Sequence, residues 1–491
     1  MLASGGNALD AAIATNLTLG VVTPYLCGFG GDLFAMIWTD GRLFAYNGSG
    51  RAPAAATAES VRAVLGGDRM PTFGPHTVTA PGAVEAWFVL LEHFGTRAFS
   101  DLARNALTYA REGFTPSPVG LASLNRSAAR YAWSPEWRAV YGRVEPDRPL
   151  VQRDLARTIE ALGTDGAEAY YRGPIAGAIV HHLRSKGALM SLEDLADHRG
   201  AFVEPLRMSY RGVDVLELPP NTQGVTALEA LEIVSARGRL PPDGPERQHL
   251  LVEGIKLALV DRDAHVTDPD HMGISPDVLL SPEWIRKRAA EIDPRRAAQP
   301  LSGGSAHGGT AYLCAADSDG MLVSLIQSNW TGFGSGITVP GWGINLQNRG
   351  AFFSLDPGHV NVIAPRKRTL HTIVPGMAFR GDRPWLVFGT MGGNGQAQTH
   401  LQLLTRIVDD GAGLQEAVDA PRWVLSPADW SLSAESRFEA EVVEGLRDRG
   451  HNLEIVGDFD SLMGHAHAIA ATDQGYEGAT DPRTEGAVLG F

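Results

Sequence analysis

Residues 301–316 read LSGGSAHGGTAYLCAA. A Gly/Ser-rich tether from Ser302 to Gly309 runs without transition into an apolar segment, with Thr310 at the junction. Tether composition of this kind prefers no single conformation, whereas TAYLCAA suits a buried strand. Any fold must therefore bring the first residue of a core strand to a place that a loose linker can reach. A threonine after glycine is an ordinary strand start. It is also the arrangement in which a threonine becomes N-terminal. Its hydroxyl attacks the Gly309 carbonyl, an ester forms and hydrolyses, and the freed α-amine then serves as the base for the hydroxyl. Glycine before the nucleophile leaves the carbonyl open and permits unusual backbone angles. Spacing alone leaves both readings standing.

The chain of 491 residues is long enough for one very large domain or two to three ordinary ones. Hydrophobic residues at 44% and charged residues at 20% allow a sizeable core without disulfides or metals. A net charge of −14 argues against a nucleic-acid partner, which calls for a basic face. The two cysteines, Cys27 and Cys314, sit in apolar surroundings and read as buried thiols, which suits a reducing compartment. No apolar run approaches the length of a membrane span. The N-terminal segment lacks a basic n-region and a signal-peptide core, so a cytoplasmic location is expected, with secretion left open. GGNALDAAIA reads as a helix start capped by Asn7 with Asp10 three residues on. The chain thus begins almost inside a packed element, which implies an upstream strand.

Strand-like runs occur at DLFAMIW, GRLFAYN, VDVLELP, GMLVSLIQS and RPWLVFGT. Helix-like runs occur at PGAVEAWFVLLEHFG, FSDLARNALTYAREG, RDLARTIEALGTDG, PIAGAIVHHLRSKG and RQHLLVEGIKLALVDRDAHV. The middle third is mostly helical and the two ends are richer in strands. This points to a layered fold in which distant strands pair.

Several chemistries are excluded by their missing signatures: there is no G-x-S-x-G elbow, no H-E-x-x-H and no Walker loop. GFGSG at Gly332–Gly336 reads as tight turns. GHAHAI places His465 and His467 on one face of a strand, but no third metal ligand is near in sequence. His181 and His182 read as solvated helix surface.

The ordered set of longer segments resembles the γ-glutamyltranspeptidase family of self-processing N-terminal-nucleophile hydrolases. GGNALDAAIATNLTLGVVTPYLCGFGGDLFAMI is similar to the family's opening segment. TVTAPGAVEAW, LEDLADHRGAFVEPL and LPPNTQGVTALEAL resemble landmarks of its large subunit, and TAYLCAADSDGMLVSLIQSNWTGFGSGI resembles the start of its small subunit. PRKRTLHTIVPGM, GTMGGNGQ and AVDAPRW follow in family order. The resemblance implies an α+β fold, a four-layer αββα sandwich made as one precursor chain. Residues 1–309 would form the large-subunit segment and residues 310–491 the small-subunit segment, together one domain. It implies cleavage between Gly309 and Thr310, with Thr310 as nucleophile and Ser328 as the hydroxyl that hydrogen-bonds it. Gly392 and Gly393 match the glycines whose N–H groups form the oxyanion hole. No metal or other cofactor is implied. The partners would be a small amide substrate and the chain's own two fragments as an interlocked heterodimer.

The departures from the family pattern concern the substrate. The arginine that grips the glutamyl α-carboxylate is replaced by Ser49, with Arg51 displaced by two residues. The aspartate that holds the α-amine is replaced by Phe352, the neighbouring glutamine by Arg349, and the paired serines by His371 and Thr372. This pattern resembles the branch containing γ-glutamyltransferase-like proteins, oxamate amidohydrolases and some cephalosporin acylases. Arg349 then reads as an anchor for an acidic acyl group, or alternatively as one half of an internal ion pair. The expectation is an autoprocessed amidohydrolase or acyltransferase that cleaves a small amide through an acyl-enzyme. A true γ-glutamyltransferase or glutathione hydrolase and an uncleaved, non-catalytic ligand-binding homologue are the alternatives.

Overall fold

The computed structural model describes residues 1–299 and 309–490. The tether from Ser302 up to residue 308 therefore lies outside the described residues. The strands, in chain order, are β1 (Asp32–Thr39), β2 (Arg42–Asn47), β3 (Ala201–Val203), β4 (Leu206–Tyr210), β5 (Val213–Glu217), β6 (Gly309–Ala316) and β7 (Leu322–Trp330). They continue as β8 (Gly376–Arg380), β9 (Arg383–Met391), β10 (Trp423–Leu425), β11 (Leu432–Glu435), β12 (Leu453–Val456), β13 (His465–Thr472) and β14 (Gly475–Thr480).

One compact unit comprises residues 1–203 and 309–371. Its sheet has the order β3-β2-β1-β7-β6, with β1 antiparallel to both β2 and β7. Side chains alternate between faces along each strand. Leu33, Ala35 and Ile37 of β1, with Val323 and Leu325 of β7 and Leu313 and Ala315 of β6, join one hydrophobic cluster. Helices Ala8–Val22, Ala83–Phe94, Arg153–Asp165 and Pro174–Ser185 complete that cluster. The first helix is capped as its sequence indicates: the Asn7 side chain accepts from the Asp10 N–H and the Asp10 carboxylate accepts from the Asn7 N–H. The opposite face of the sheet carries the polar residues Asp32, Ser324 and Ser328, all buried.

The second unit comprises residues 204–299 and 372–490. Its main sheet has the order β14-β13-β9-β8-β5-β4, and a small sheet has the order β10-β11-β12. The helix Gly224–Ala236 is buried over most of its circumference, Thr226 and Glu229 included. It packs with Pro245–His265 and Gln396–Asp409 against Val213, Val215, Ala378, Leu386 and Phe388 of the sheet.

The α+β class read from the sequence is the class observed: each unit packs helices against its own main sheet. Each main sheet mixes strands from both sides of the Gly309–Thr310 bond: β1 pairs β7, and β5 pairs β8. FSDLARNALTYAREG breaks into two helices, Phe99–Leu102 and Arg104–Glu112. The GFGSG stretch makes tight turns, with positive φ at Gly332, Gly334 and Gly336. Among the described residues, no helix is long and apolar enough to cross a membrane. Cys27 and Cys314 are free thiols; Cys314 is partly exposed, and burial pushes both pKa values up to about 12.

Candidate active site

Thr310 lies on β6 where its pairing with β7 slips. Gly309 faces Trp330 and Ala311 faces Gln327, so Thr310 alone opposes both Ser328 and Asn329. Such a bulge re-aims side chains relative to a regular ladder. Here it accompanies a close approach of two hydroxyls: Thr310 Oγ1 and Ser328 Oγ stand 3.3 Å apart. Ser328 Oγ in turn donates to the carbonyl oxygen of Gly309 at 2.8 Å.

Donor counting narrows where the proton of Ser328 points. Its Oγ accepts from the Trp330 N–H at 2.8 Å and from Arg349 Nη2 at 3.2 Å. Neither group can accept, and a hydroxyl has one proton and two lone pairs. With those two donors on its lone pairs, Ser328 can give its proton to the Gly309 carbonyl at 2.8 Å, next to the bond whose cleavage would free Thr310, or to Thr310 Oγ1 at 3.3 Å; the carbonyl is the nearer acceptor.

Arg349 sits in the turn Arg349–Phe352 and is 1% exposed. Its guanidinium lies over the Trp330 ring at 4.7 Å and the Phe352 ring at 5.7 Å. Burial pushes its pKa down to about 9, against the favourable charge of Asp32. Asp32 opens β1 directly opposite Ser328 in the β1–β7 register. Its carboxylate accepts from the Gly82 N–H at 3.1 Å, the Gly50 N–H at 3.3 Å and His371 Nε2 at 3.2 Å. Burial raises the Asp32 pKa to about 7, although Arg349, the two amides and Arg368 all favour its charged form. His371 is fully buried, its ring edge-on to Phe34, and burial followed by the charge of Arg349 holds its pKa well below the usual imidazole range. It is a neutral donor to Asp32. Asp32 went unnoticed in the sequence because a carboxylate opening an apolar strand carries no motif; its strand register with Ser328 is the signal.

Ser49 is buried, with its N–H and hydroxyl both donating to Asn47 Oδ1 and its carbonyl accepting from Arg368 Nε at 3.0 Å. Arg51 donates to the Arg366 carbonyl at 2.9 Å. Phe352 is half-buried beneath Arg349. In the second unit, the Thr372 carbonyl accepts from Gln223 Nε2 at 2.6 Å. The same amide donates to the Gly393 carbonyl at 2.9 Å. Gly392 and Gly393 both have positive φ, 148° and 56°, at the turn between β9 and the helix Gln396–Asp409. These are backbone angles that glycine adopts without strain.

His182 departs from its expected place on solvated helix surface. It is buried, 3.7 Å from Glu136, which also pairs Lys186 at 3.4 Å; only His181 is exposed. His465 hydrogen-bonds Ser461 Oγ at 2.9 Å and His467 hydrogen-bonds Thr480 Oγ1 at 3.0 Å. A cluster that the sequence did not suggest brings His249, Glu253 and His451 within 4.8 Å of one another. Its donor atoms are already engaged. His249 Nδ1 meets His451 Nε2 at 2.7 Å, while Glu253 takes Lys256 Nζ at 2.8 Å and the Ala298 N–H at 3.0 Å.

The structure superposes on that of a cephalosporin acylase from Bacillus halodurans with a TM-score of 0.94 and 39% identity, covering 99% of this chain and 92% of the other. With its helix-covered sheets, that likeness makes the protein a hydrolase of the N-terminal-nucleophile class. The chain belongs to the γ-glutamyltranspeptidase family, whose model, described as "Gamma-glutamyltranspeptidase", matches residues 1–491. It is 37% identical over 506 residues to the glutathione hydrolase-like YwrD proenzyme of Bacillus subtilis, covering 100% of this chain and 95% of the other. It is 36% identical over 511 residues to the oxamate amidohydrolase proenzyme of Klebsiella pneumoniae, again covering 100% and 95%.

Proposed function

We propose that the chain cleaves itself between Gly309 and Thr310, into residues 1–309 and 310–491. The freed Thr310 then hydrolyses a small amide with a short acyl group bearing a carboxylate. The observation that carries this reading is the hydrogen bond from Ser328 to the Gly309 carbonyl at 2.8 Å. A donor on that oxygen stabilises the oxyanion formed when the Thr310 hydroxyl attacks. In turnover the α-amine of Thr310 takes the hydroxyl proton, the hydroxyl attacks the amide carbonyl, and the leaving amine departs with a proton. Water then resolves the ester. Gly392 and Gly393 supply the N–H groups for the turnover oxyanion, a role that rests on the family pattern. The two fragments stay together because each main sheet takes strands from both.

The acidic acyl group is supported by Arg349. Its guanidinium is one hydrogen bond from Ser328, which is one from the scissile carbonyl. A carboxylate that pairs with it must lie close to the reacting carbon, which favours an oxamate-like acid over the long γ-glutamyl chain. The names of the relatives, oxamate amidohydrolase among them, agree with this range. A γ-glutamyl ammonium would find the Phe352 ring where the family provides an aspartate, and its α-carboxylate would find uncharged Ser49 where the family provides an arginine. Burying the ammonium unpaired costs more than a cation–π contact of about 1–2 kcal/mol returns.

Denaturing electrophoresis with intact mass tests the cleavage: two fragments with Thr310 at the new N-terminus are expected, and Thr310→Ala stays whole. A panel of amides tests the specificity. Oxamate-type amides should exceed γ-glutamyl anilide in kcat/KM by about tenfold or more. Preference for the γ-glutamyl compound by that margin overturns the substrate assignment and leaves the cleavage standing.

A further inference from the structure

We infer that Gln223 is a positioning residue for amide turnover: its side-chain amide holds the turn that carries Gly392 and Gly393, and so keeps their N–H groups aimed at the oxyanion. The inference rests on the reading that those two N–H groups stabilise the turnover oxyanion. In that step the Thr310 Oγ–C bond forms, the carbonyl π pair moves onto oxygen, and the hydroxyl proton passes to the α-amine. When the C–N bond breaks, its electron pair leaves with the amine, which takes that proton, and the oxygen returns to a carbonyl. Donors speed this step only if they are in place before the charge develops.

Glycines let a backbone approach an oxyanion closely, but no residue type holds its own angles more weakly. This turn is held from outside. An N–H points opposite to the carbonyl of its own planar peptide unit. The Gly395 N–H on the Gly392 carbonyl at 2.9 Å therefore sets the direction of the Gly393 N–H. The Gly393 carbonyl accepts from the Gln396 N–H and from Gln223 Nε2, the latter at 2.9 Å. With both carbonyls held, the peptide planes on either side of the Gly393 Cα are locked. Gln223 Nε2 also donates to the Thr372 carbonyl at 2.6 Å, so one amide ties the turn to the segment that carries Thr372. Gln396 Oε1, accepting from the Val374 N–H at 2.9 Å, adds a second tie to the same segment.

The partners of Gln223 fix which way its amide faces. Nε2 carries two protons and meets two carbonyls, which only accept; Oε1 meets Arg262 Nη1 at 2.9 Å, which only donates. A reversed amide would set like against like on both sides. Arg262 Nη1 also donates to Asn394 Oδ1 at 2.9 Å, on the residue after the glycines. The guanidinium is itself oriented by Asp263, which takes Nε at 2.8 Å and Nη2 at 2.7 Å. Gln223 and Thr372 are fully buried, so no solvent stands in for a lost bond. Gln223 belongs to LPPNTQGVTALEAL and directly precedes the helix Gly224–Ala236, which gives its backbone a rigid base.

The test uses the full chain and whichever oxamate-type or γ-glutamyl amide the wild type turns over fastest. Gln223→Glu keeps the shape and sets an oxygen against the two carbonyls, where the amide had donors. It should cleave itself at the wild-type rate, because the donor to the Gly309 carbonyl is Ser328. Its kcat should fall by about tenfold to a hundredfold, with KM within about twofold. An alkylboronic acid bearing a carboxylate, which takes up the Thr310 oxygen to become a tetrahedral anion, should lose inhibition by the same factor, while inhibition by planar oxalate should hold. Wild-type kcat in Gln223→Glu overturns the inference. So does a loss that appears equally in self-cleavage and is matched by a lower melting temperature. Gly392→Ala, which must carry a Cβ at a φ of 148°, tests the reading beneath. Full turnover in Gly392→Ala overturns the oxyanion role of the glycines itself. Turnover lost there and kept in Gln223→Glu overturns the positioning role alone. Should Gln223→Glu not fold, Arg262→Lys, which lacks the planar fork, takes its place. A severalfold lower kcat with intact self-cleavage is expected, and wild-type kcat overturns the inference.

Discussion

Asp32 and Asp481 are both buried carboxylates facing two arginines, yet their protons behave oppositely. Asp481 accepts from Arg422 Nη1 at 2.7 Å, from Arg483 Nη1 at 3.1 Å and from the Ala466 N–H at 2.7 Å. Arg483 also grips Glu435 through two nitrogens, each at 2.7 Å. Burial alone would raise both carboxylates; arginine charge and hydrogen bonds outweigh it, and both pKa values fall below the usual range. At Asp32 burial wins, and the pKa rises to about 7. Its three donors from Gly50, Gly82 and His371 stand at 3.1 Å or more, and one of them is a neutral imidazole. A network satisfied by short, forked ion pairs holds structure. A buried acid left close to neutrality, opposite Ser328 in the strand register, is the pattern that marks a candidate functional site.

Three experiments break or sharpen this contrast. The largest effect is expected at Arg483. Arg483→Ala leaves Glu435 and Asp481 with too few partners and should lower the unfolding free energy by about 3–5 kcal/mol. Chains that remain folded should still cleave. Denaturant titration reads the loss, and a loss below about 1 kcal/mol would make the network no stronger than a surface pair. Next comes Ser328→Ala, which removes the donor to Gly309. It should slow both cleavage and amide turnover by about a hundredfold, with little change in melting temperature. Unchanged rates in both steps would displace Ser328 from the site.

The smallest effect concerns pH. Asp32 in the unfolded chain titrates near 3.8, and in the folded chain near 7. Between these values the folded state binds more protons, so this group takes stability away as pH rises, by at most about 1.4 kcal/mol per pH unit. Asp481 and Glu435 work in the other direction, losing their contribution as pH falls through the carboxylate range. The melting temperature of wild type relative to Asp32→Asn should therefore decline from about pH 5 to pH 7 and level off above. A difference that grows with pH over that window would place Asp32 in the same class as Asp481.

Much of the fold was legible in the residues. The strands at DLFAMIW and GMLVSLIQS, the Asn7 cap and the helix over RQHLLVEGIKLALVDRDAHV stand where periodicity and capping put them, because those signals are local. The tether meeting Thr310 was likewise visible in the chain itself, whereas the replacements at Ser49, Arg349 and Phe352 stand out only through the resemblance to the family. What the residues did not disclose is environment. His182 reads as surface but is buried against Glu136, since one turn of helix does not reveal what packs beside it.

The bulge that sets Thr310 against Ser328, and the register that sets Asp32 against Ser328, arise from strand pairing between segments far apart in the chain. The sequence by itself determined which groups are available: a threonine behind a glycine, a serine on the next strand, an arginine at position 349. Tertiary structure decided what those groups do. The proton affinity of a carboxylate depends on the water it has lost and the charges it has gained, and both are properties of its surroundings.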